Sequence, residues 1–235
     1  SNALVPMNFG AAHPWIVNPY GVMLGPNAHL DMDGPVTFTT ANYLRFDGAT
    51  TLFDMLSTPV SLGPLSVAPV VAFGFLPIEP GSTRGTISVE GSNLQLLEGE
   101  ALSFVAGDIT VQSGILVDGA VQASSLSLPG GRINLVSVDS SGGEVLSSSF
   151  QNGPNINGES FTTMGTVTIK EGATLDVSGQ LQFDADGNPI GGNSGTMFVR
   201  GGKLVVDAST ILAGTTGVVD GASTAVDLQV SHDVG

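Results

Sequence analysis

The chain of 235 residues contains no cysteine, so no disulfide or thiolate chemistry is open to it and stability must come from the core alone. It is poor in cations, with 6 Lys and Arg against 21 Asp and Glu, a formal charge of -15. That balance repels phosphate backbones and anionic lipid, which disfavours nucleic-acid and membrane-surface roles. Only 11% of residues are charged, whereas 41% are apolar. No uninterrupted run of about 18 apolar residues exists, and Pro64, Pro69 and Pro77 break the apolar stretch 60–78, so no helix inserts into a membrane. Helix formers are scarce too. Gly (33 residues), Ser, Thr and Val dominate, with 13 Pro, which is the composition of an all-β chain dense in turns.

What is present is a cadence of Gly-x-apolar-x-apolar. It occurs at Gly85-Thr-Ile-Ser-Val89, Gly107-Asp-Ile-Thr-Val111, Gly131-Arg-Ile-Asn-Leu135, Gly165-Thr-Val-Thr-Ile169 and Gly195-Thr-Met-Phe-Val199, with an echo at Thr224-Ala-Val-Asp-Leu228. The spacings are 22, 24, 34, 30 and 29 residues. A second phase runs between them, at 99–104, 119–123, 172–177 and 202–206. Short strands repeating on a period of ~20–30 residues mark a solenoid. Each circuit exposes apolar side chains that it cannot bury alone, and stacking circuits ~4.8 Å apart buries them together. Glycine and asparagine at the corners are expected to supply positive φ. The longer spacings predict loops over 140–164 and 184–194. Asp47-Gly48, Asp118-Gly119, Asn157-Gly158, Asp186-Gly187 and Asp220-Gly221 are also hairpin signals, which leaves an antiparallel sandwich as the competing architecture behind the favoured β-helix.

The N-terminal third is different. Residues 4–16 read as irregular capping structure leading into a strand at Trp15. The stretch 35–80 reads as hairpins laid against the main body, with strands at 36–38, 43–46, 60–65 and 70–75. Between these regions lie two turns seven residues apart, Asn18-Pro19-Tyr20-Gly21 and Gly25-Pro26-Asn27, with a brief Val22-Met23-Leu24 strand between them. Strands this short do not make a hairpin, so the chain is expected to coil about an axis.

The same stretch, VNPYGVMLGPNAHL over residues 17–30, resembles the INPNGI-x-F-GPNA-x-L pattern of filamentous-haemagglutinin-like exoproteins. These are the passengers of bacterial two-partner secretion. Tyr20 departs from the pattern, which usually has a second Asn there. The resemblance implies a right-handed parallel β-helix with extra-helical hairpins in its N-terminal third. Ser1-Asn2-Ala3 reads as the scar of a cleaved tag, and the rest of the chain reads as one domain (4–235), made of a first coil and turn motif (4–34), hairpins (35–80) and repetitive coils (81–235). The family pattern continues upstream of the motif, so this chain is expected to be truncated at its N-terminal end, with any signal peptide further upstream. An exposed edge on the first coil would then be covered by residues 4–14, a neighbouring chain or a strand swap.

The function implied is a non-enzymatic secretion domain of an adhesin-like exoprotein of a Gram-negative-type cell, secreted or held at the surface after passing the periplasm. Its implied partner is the outer-membrane two-partner secretion transporter, met through periplasmic domains, and its targets are host or neighbouring-cell glycans or proteins. Asn18, Pro19, Tyr20, Gly21, Gly25, Pro26 and Asn27 would close turns in the fold and also form the segment that the transporter reads. The other readings are a carbohydrate- or haem-binding module on this scaffold and a β-helix polysaccharide lyase or hydrolase.

The residues suggest no cofactor and no metal. His13, His29 and His232 have no second ligand type at metal-like spacing. Asp184-Ala-Asp186-Gly-Asn188 is similar to the start of an EF-hand loop, but Pro189 and Gly195 stand where its Gly and Glu belong. Asp31 and Asp33 share one strand face and read as solvated. Arg45, Arg84, Arg132 and Arg200 are spread over different coils, unlike the clustered bases of uronate-cleaving β-helices. Trp15 reads as core or cap.

Overall fold

A computed structural model of the chain describes residues 13–30, 32–48, 52–54, 69–79, 81–139, 142–146, 155–156, 161–216 and 225–234. The first coil holds β1 (Trp15–Val17) and β2 (Val22–Leu24). The second begins with β3 (Val36–Thr39), leaves the helix for β4 (Tyr43–Phe46), β5 (Leu52–Asp54) and β6 (Val70–Phe75), then returns for β7 (Ile87–Glu90) and β8 (Asn93–Gln95). The third runs through β9 (Ala101–Ala106), β10 (Ile109–Gln112), the small pair β11 (Gly114–Ile115) and β12 (Val121–Gln122), and β13 (Ser125–Ser127). The fourth holds β14 (Arg132–Ser137), a second excursion of β15 (Gly143–Leu146) and β16 (Asn155–Ile156), then β17 (Thr166–Lys170) and β18 (Thr174–Asp176). Last come β19 (Thr196–Asp207), β20 (Thr210–Leu212) and β21 (Val226–Val234).

These coils make a parallel β-helix with three faces. One face stacks β1, β3, β9, β14, the first half of β19 and β21, and another stacks β2, β7, β10, β17 and the second half of β19. The 12-residue β19 bends through the corner and joins both faces into one curled sheet. The third face is β8, β13, β18 and β20. Every pairing within the three faces is parallel, and parallel crossovers wind right-handed. The antiparallel sandwich is thereby excluded. Its hairpin signals are real but local: Asp47-Gly48 joins β4 to β5, Asp118-Gly119 joins β11 to β12, and Asp186-Gly187 turns between Phe183 and Pro189. Asn157-Gly158 and Asp220-Gly221 lie outside the described residues, as does the expected strand 60–65.

In-register stacking places like residues above like. The ladder Phe38, Phe104, Leu135, Val199 is buried throughout, as is Ile87, Ile109, Val167, Leu204 on the next face. Leu94, Leu126 and Leu175 complete the interior from the third. Each such side chain contributes about 1.5–3 kcal/mol on burial. Where the stack stops, the same inward positions open to solvent: Ile16 and Leu228 end the first ladder and are 39% and 42% exposed. Among the described residues, β1 and β2 are the terminal strands of their faces. Residues 4–12, expected to cover that edge, lie outside the described residues.

Three expectations are corrected. The strand at 36–38 is not a hairpin strand but a rung of the long sheet, between β1 and β9. The stretch 140–164 is not merely a loop, because β15 pairs antiparallel with β6 and extends the hairpin sheet to five strands. That sheet covers the outer side of the first face, burying Leu44, Phe73, Phe75 and Val145 against Val105 and Val136. Strands β9 and β14 are therefore buried on both sides, whereas β10 and β17 alternate. Arg45 Nη2 meets Glu144 Oε2 at 2.7 Å, tying the two excursions together.

The third correction concerns the glycines. The expected positive φ is found at Gly99, Gly119 and Gly172 of the second phase, but none of Gly85, Gly107, Gly131, Gly165 and Gly195 takes one. They stack at two corners where the backbones of successive coils nearly touch. A Cβ on Gly107 would lie 2.8 Å from Gly85 O, and one on Gly165 2.5 Å from Gly107 O. Gly131 and Gly195 do the same at the other corner. The cadence accordingly mixes two faces: 85–89, 107–111 and 165–169 stack together, while 131–135 and 195–199 stack with 99–104.

Candidate functional site

The two turns sit on the first coil at the two ends of β2. In the first, Gly21 N–H donates to Asn18 O at 3.0 Å, closing a β-turn, and Asn18 Oδ1 accepts from Tyr20 N–H at 3.1 Å. Asn18 N–H donates to Thr39 O (3.0 Å) and Val22 N–H to Thr86 O (2.9 Å), which fastens the turn to the next coil on both sides. Gly21 is the one member with a conformational reason to be glycine, with φ of 124° and an added Cβ 3.1 Å from Thr86 O. Gly21→Ala is expected to cost about 1–3 kcal/mol in stability, read as a shift of the urea midpoint.

In the second turn Ala28 N–H donates to Gly25 O at 2.8 Å. The buried Ser92 hydroxyl lies 2.8 Å from both Leu24 O and Gly25 O, and Gln122 Nε2 reaches Pro26 O at 3.3 Å. The structure thus brings Asn18, Pro19, Tyr20, Gly21, Gly25, Pro26 and Asn27 onto one coil, with Asn18, Tyr20 and Asn27 exposed. Tyr20 is 85% exposed. The supporting residues Thr39, Gly85, Thr86, Ser92 and Gln122 were not legible as part of the motif. Gly85 packs its backbone against Pro19 O, and only its place in the cadence hinted at that.

His13 anchors the start of the coil, with Nε2 3.0 Å from Thr37 Oγ1 and its ring 5.0 Å from that of half-buried Trp15. Burial pushes the imidazole below its usual pKa, so the folded state binds its proton less readily than the unfolded one. Stability from this group should rise with pH from the folded pKa up to about 6.5 and be flat above it. Urea midpoints across that window should show the slope in the wild type and a smaller one in His13→Gln.

The remaining candidates are held in local structure. His29 Nδ1 is 3.3 Å from Asn27 O. Asp184 Oδ1 accepts from the backbone of Asp186 (2.9 Å) and Asn188 (2.8 Å), and Oδ2 from Asn188 Nδ2 (3.0 Å). These bonds hold its carboxyl below the usual range and occupy both oxygens, as in a polar turn. Among the described residues no group of three His, Asp or Glu is placed to hold a metal ion. Asp31 and the His232 side chain lie outside the described residues. Arg200 pairs with Asp227 at 3.0 Å on the neighbouring strand and stacks 5.5 Å from the Phe198 ring, with Arg132 at 5.9 Å from the same ring. Arg84 is buried beneath the hairpin sheet, donating to Asp139 O and lying 5.3 Å from the Phe75 ring. Burial pushes the Arg84 and Arg132 guanidinium groups below their usual values.

Comparison with curated proteins gave no match, and neither did comparison with solved structures. The family model of the TPS secretion domain matches residues 8–191, which takes in both turns, the hairpin sheet and the first four coils. With most of its length matched and its parallel coils stacked as that resemblance implies, the chain belongs to the TPS secretion domain family, that of two-partner secretion.

Proposed function

We propose that this domain directs export of a surface-exposed or secreted adhesin-like exoprotein through a partner outer-membrane transporter, and afterwards serves as the β-helical base of the adhesive molecule. Membership of a secretion-domain family carries the reading. The periplasmic domains of the transporter meet the segment 18–27 before it folds. What supports this is the division of labour in the turns. The fold uses their backbone groups, Asn18 Oδ1 and the bare Cα of Gly21, while the Tyr20 ring and the far side of Asn18 are left to solvent.

Co-expression with the transporter tests it. Asn18→Ala removes one exposed hydrogen bond, which costs about 1 kcal/mol. It should lower the secreted amount severalfold while leaving the urea midpoint of the purified domain within that small cost. Secretion and stability falling in proportion would return the turn to a purely architectural role.

No nucleotide hydrolysis is needed at the outer membrane on this view. Each coil that emerges stacks on those already outside, and the burial gained opposes backsliding. Solenoids suit such stepwise folding because each repeat contacts only its neighbours.

A further inference from the structure

Coils of a solenoid touch only their neighbours, yet the hairpin sheet joins the second coil to the fourth and passes over the third. Strands β4 and β6 leave the second coil and β15 leaves the fourth, while β9 of the third lies between those coils in the first face. On the outer side of the sheet, Gly74 of β6 stands opposite Tyr43 on one flank and Glu144 on the other. The Tyr43 ring lies across Gly74, where a Cβ would strike it, and its hydroxyl donates to Glu144 Oε1 at 3.2 Å. Arg45, 99 residues from Glu144, donates from Nε to Oε1 at 2.9 Å and from Nη2 to Oε2 at 2.7 Å.

A second fastening lies where the sheet meets the coils. Arg84 returns the first excursion to the helix and is only 8% exposed, and its Nε donates to Asp139 O at the start of the second excursion. Asp139 N–H donates to Thr163 O at 3.1 Å and Thr163 Oγ1 to Asp139 Oδ2 at 3.0 Å, which closes that second excursion. Phe75 meets Phe161 edge-on at 6.0 Å, and Phe73 and Phe75 share their core with Val136, Val138 and Val145. All these partners arrive with the fourth coil. Before then β6 is an open edge strand and Arg84 lacks the carbonyl oxygen that it donates to, and both conditions oppose closure of the sheet. The second face carries no such delay, because β7 pairs with β2 of the coil before it and β10 of the coil after it.

We propose that the hairpin sheet is a latch, which stays open until the fourth coil is in place and then closes in one step, with Glu144 fastening its outer side and Arg84 its base. Strands β4 and β6 precede β7 and β10 in sequence but are completed after them. Once the latch is closed, the fourth coil cannot unstack without parting β15 from β6, so the first four coils hold or yield together. In an exported chain, closure marks the point beyond which slipping back requires the sheet to open. The latch itself is a property of the folding chain and does not rest on the export reading.

Pulsed hydrogen exchange during refolding of the full chain from urea, resolved by peptide mass spectrometry, tests the order. Segments 87–90 and 109–112 should gain protection first, and 70–75 and 143–146 later and together. In the folded protein, Glu144→Ala should speed exchange of 70–75 and 143–146 alike, by about threefold, as suits loss of a partly exposed ion pair. It should leave 87–90 and 109–112 at wild-type rates. Glu98→Ala should leave the sheet segments unchanged, because the Glu98 carboxylate accepts from Gln182 instead. Protection of 70–75 alongside 87–90 and ahead of 143–146 would overturn the proposal. An effect of Glu144→Ala that is absent, confined to 143–146 or spread equally over the coils would do the same, as would an equal effect of Glu98→Ala. No transporter enters these measurements, so the latch and the export reading can fail separately.

Discussion

Ile109→Asn should unfold the domain or leave it barely folded. Ile109 is fully buried in the middle of the second face, between Ile87 and Val167. The substitution forfeits about 1.5–3 kcal/mol of apolar burial and strands an amide in a dry core, at about 1–3 kcal/mol more. The sum is a large share of the 5–15 kcal/mol that typical domains possess. Because the coil touches its neighbours on both sides, the loss should spread to β7 and β17 rather than stay local. If coil stacking drives export, the secreted amount of this variant should fall severalfold with stability. Secretion at the wild-type rate by a domain that no longer folds would remove folding from the export mechanism.

Gly195→Ala should be nearly as damaging, although it adds one methyl group at a site of low complexity. That methyl would overlap the carbonyl group and crowd the amide nitrogen of Gly131 on the coil beneath. The neighbour is backbone, held by Thr196 N–H donating to Gly131 O at 3.0 Å, so it cannot swing aside as a side chain would. Relief requires the two coils to part, which separates Met197 from Ile133 and Val199 from Leu135. Overpacking in a rigid setting costs about 1–3 kcal/mol and sometimes more. Gly187→Ala is the contrast: nothing lies within 4 Å of its Cβ position, so its cost is only the strain of a φ of 81°. Urea midpoints of the two variants should rank in that order.

These two sites show what was legible in the sequence. Period and strand composition are written in every coil, because each must hide its own apolar residues on the one beneath; hence the parallel helix could be read from Ile87, Ile109 and Val167. Which coil faces which could not. Gly131 and Gly165 open the same five-residue pattern, yet one turns the chain into the first face and the other into the second. The pattern records that a corner is tight and not which corner it is. The hairpin sheet was half visible for a related reason. β4 and β6 carry their own alternation and lie close in sequence, whereas β15 is a Gly-Glu-Val-Leu fragment whose partner is some 70 residues upstream. Its single buried Val145 is too faint a signal to announce a strand. The turn motif was legible because its Pro, Gly and Asn residues each answer a local demand of the backbone. Ser92 and Gln122, which fasten the second turn from later coils, answer no local demand and so left no mark.

Cysteine placement offers the most direct measurement of the stacking itself, since the chain has none of its own. Thr110 pairs with Ser88 on one side and Thr168 on the other, in parallel register. Neighbouring strands lie close enough for a disulfide, which needs Cα atoms about 4.4–6.8 Å apart. Ser88→Cys/Thr110→Cys and Thr110→Cys/Thr168→Cys should each oxidise to an intramolecular cross-link in the folded protein, seen by peptide mapping, and neither should form in urea. An antiparallel hairpin of β7 and β10 would set Ser88 opposite Val111 instead. Efficient cross-linking of Ser88→Cys/Val111→Cys, with neither predicted pair forming, would contradict the stacked parallel coils.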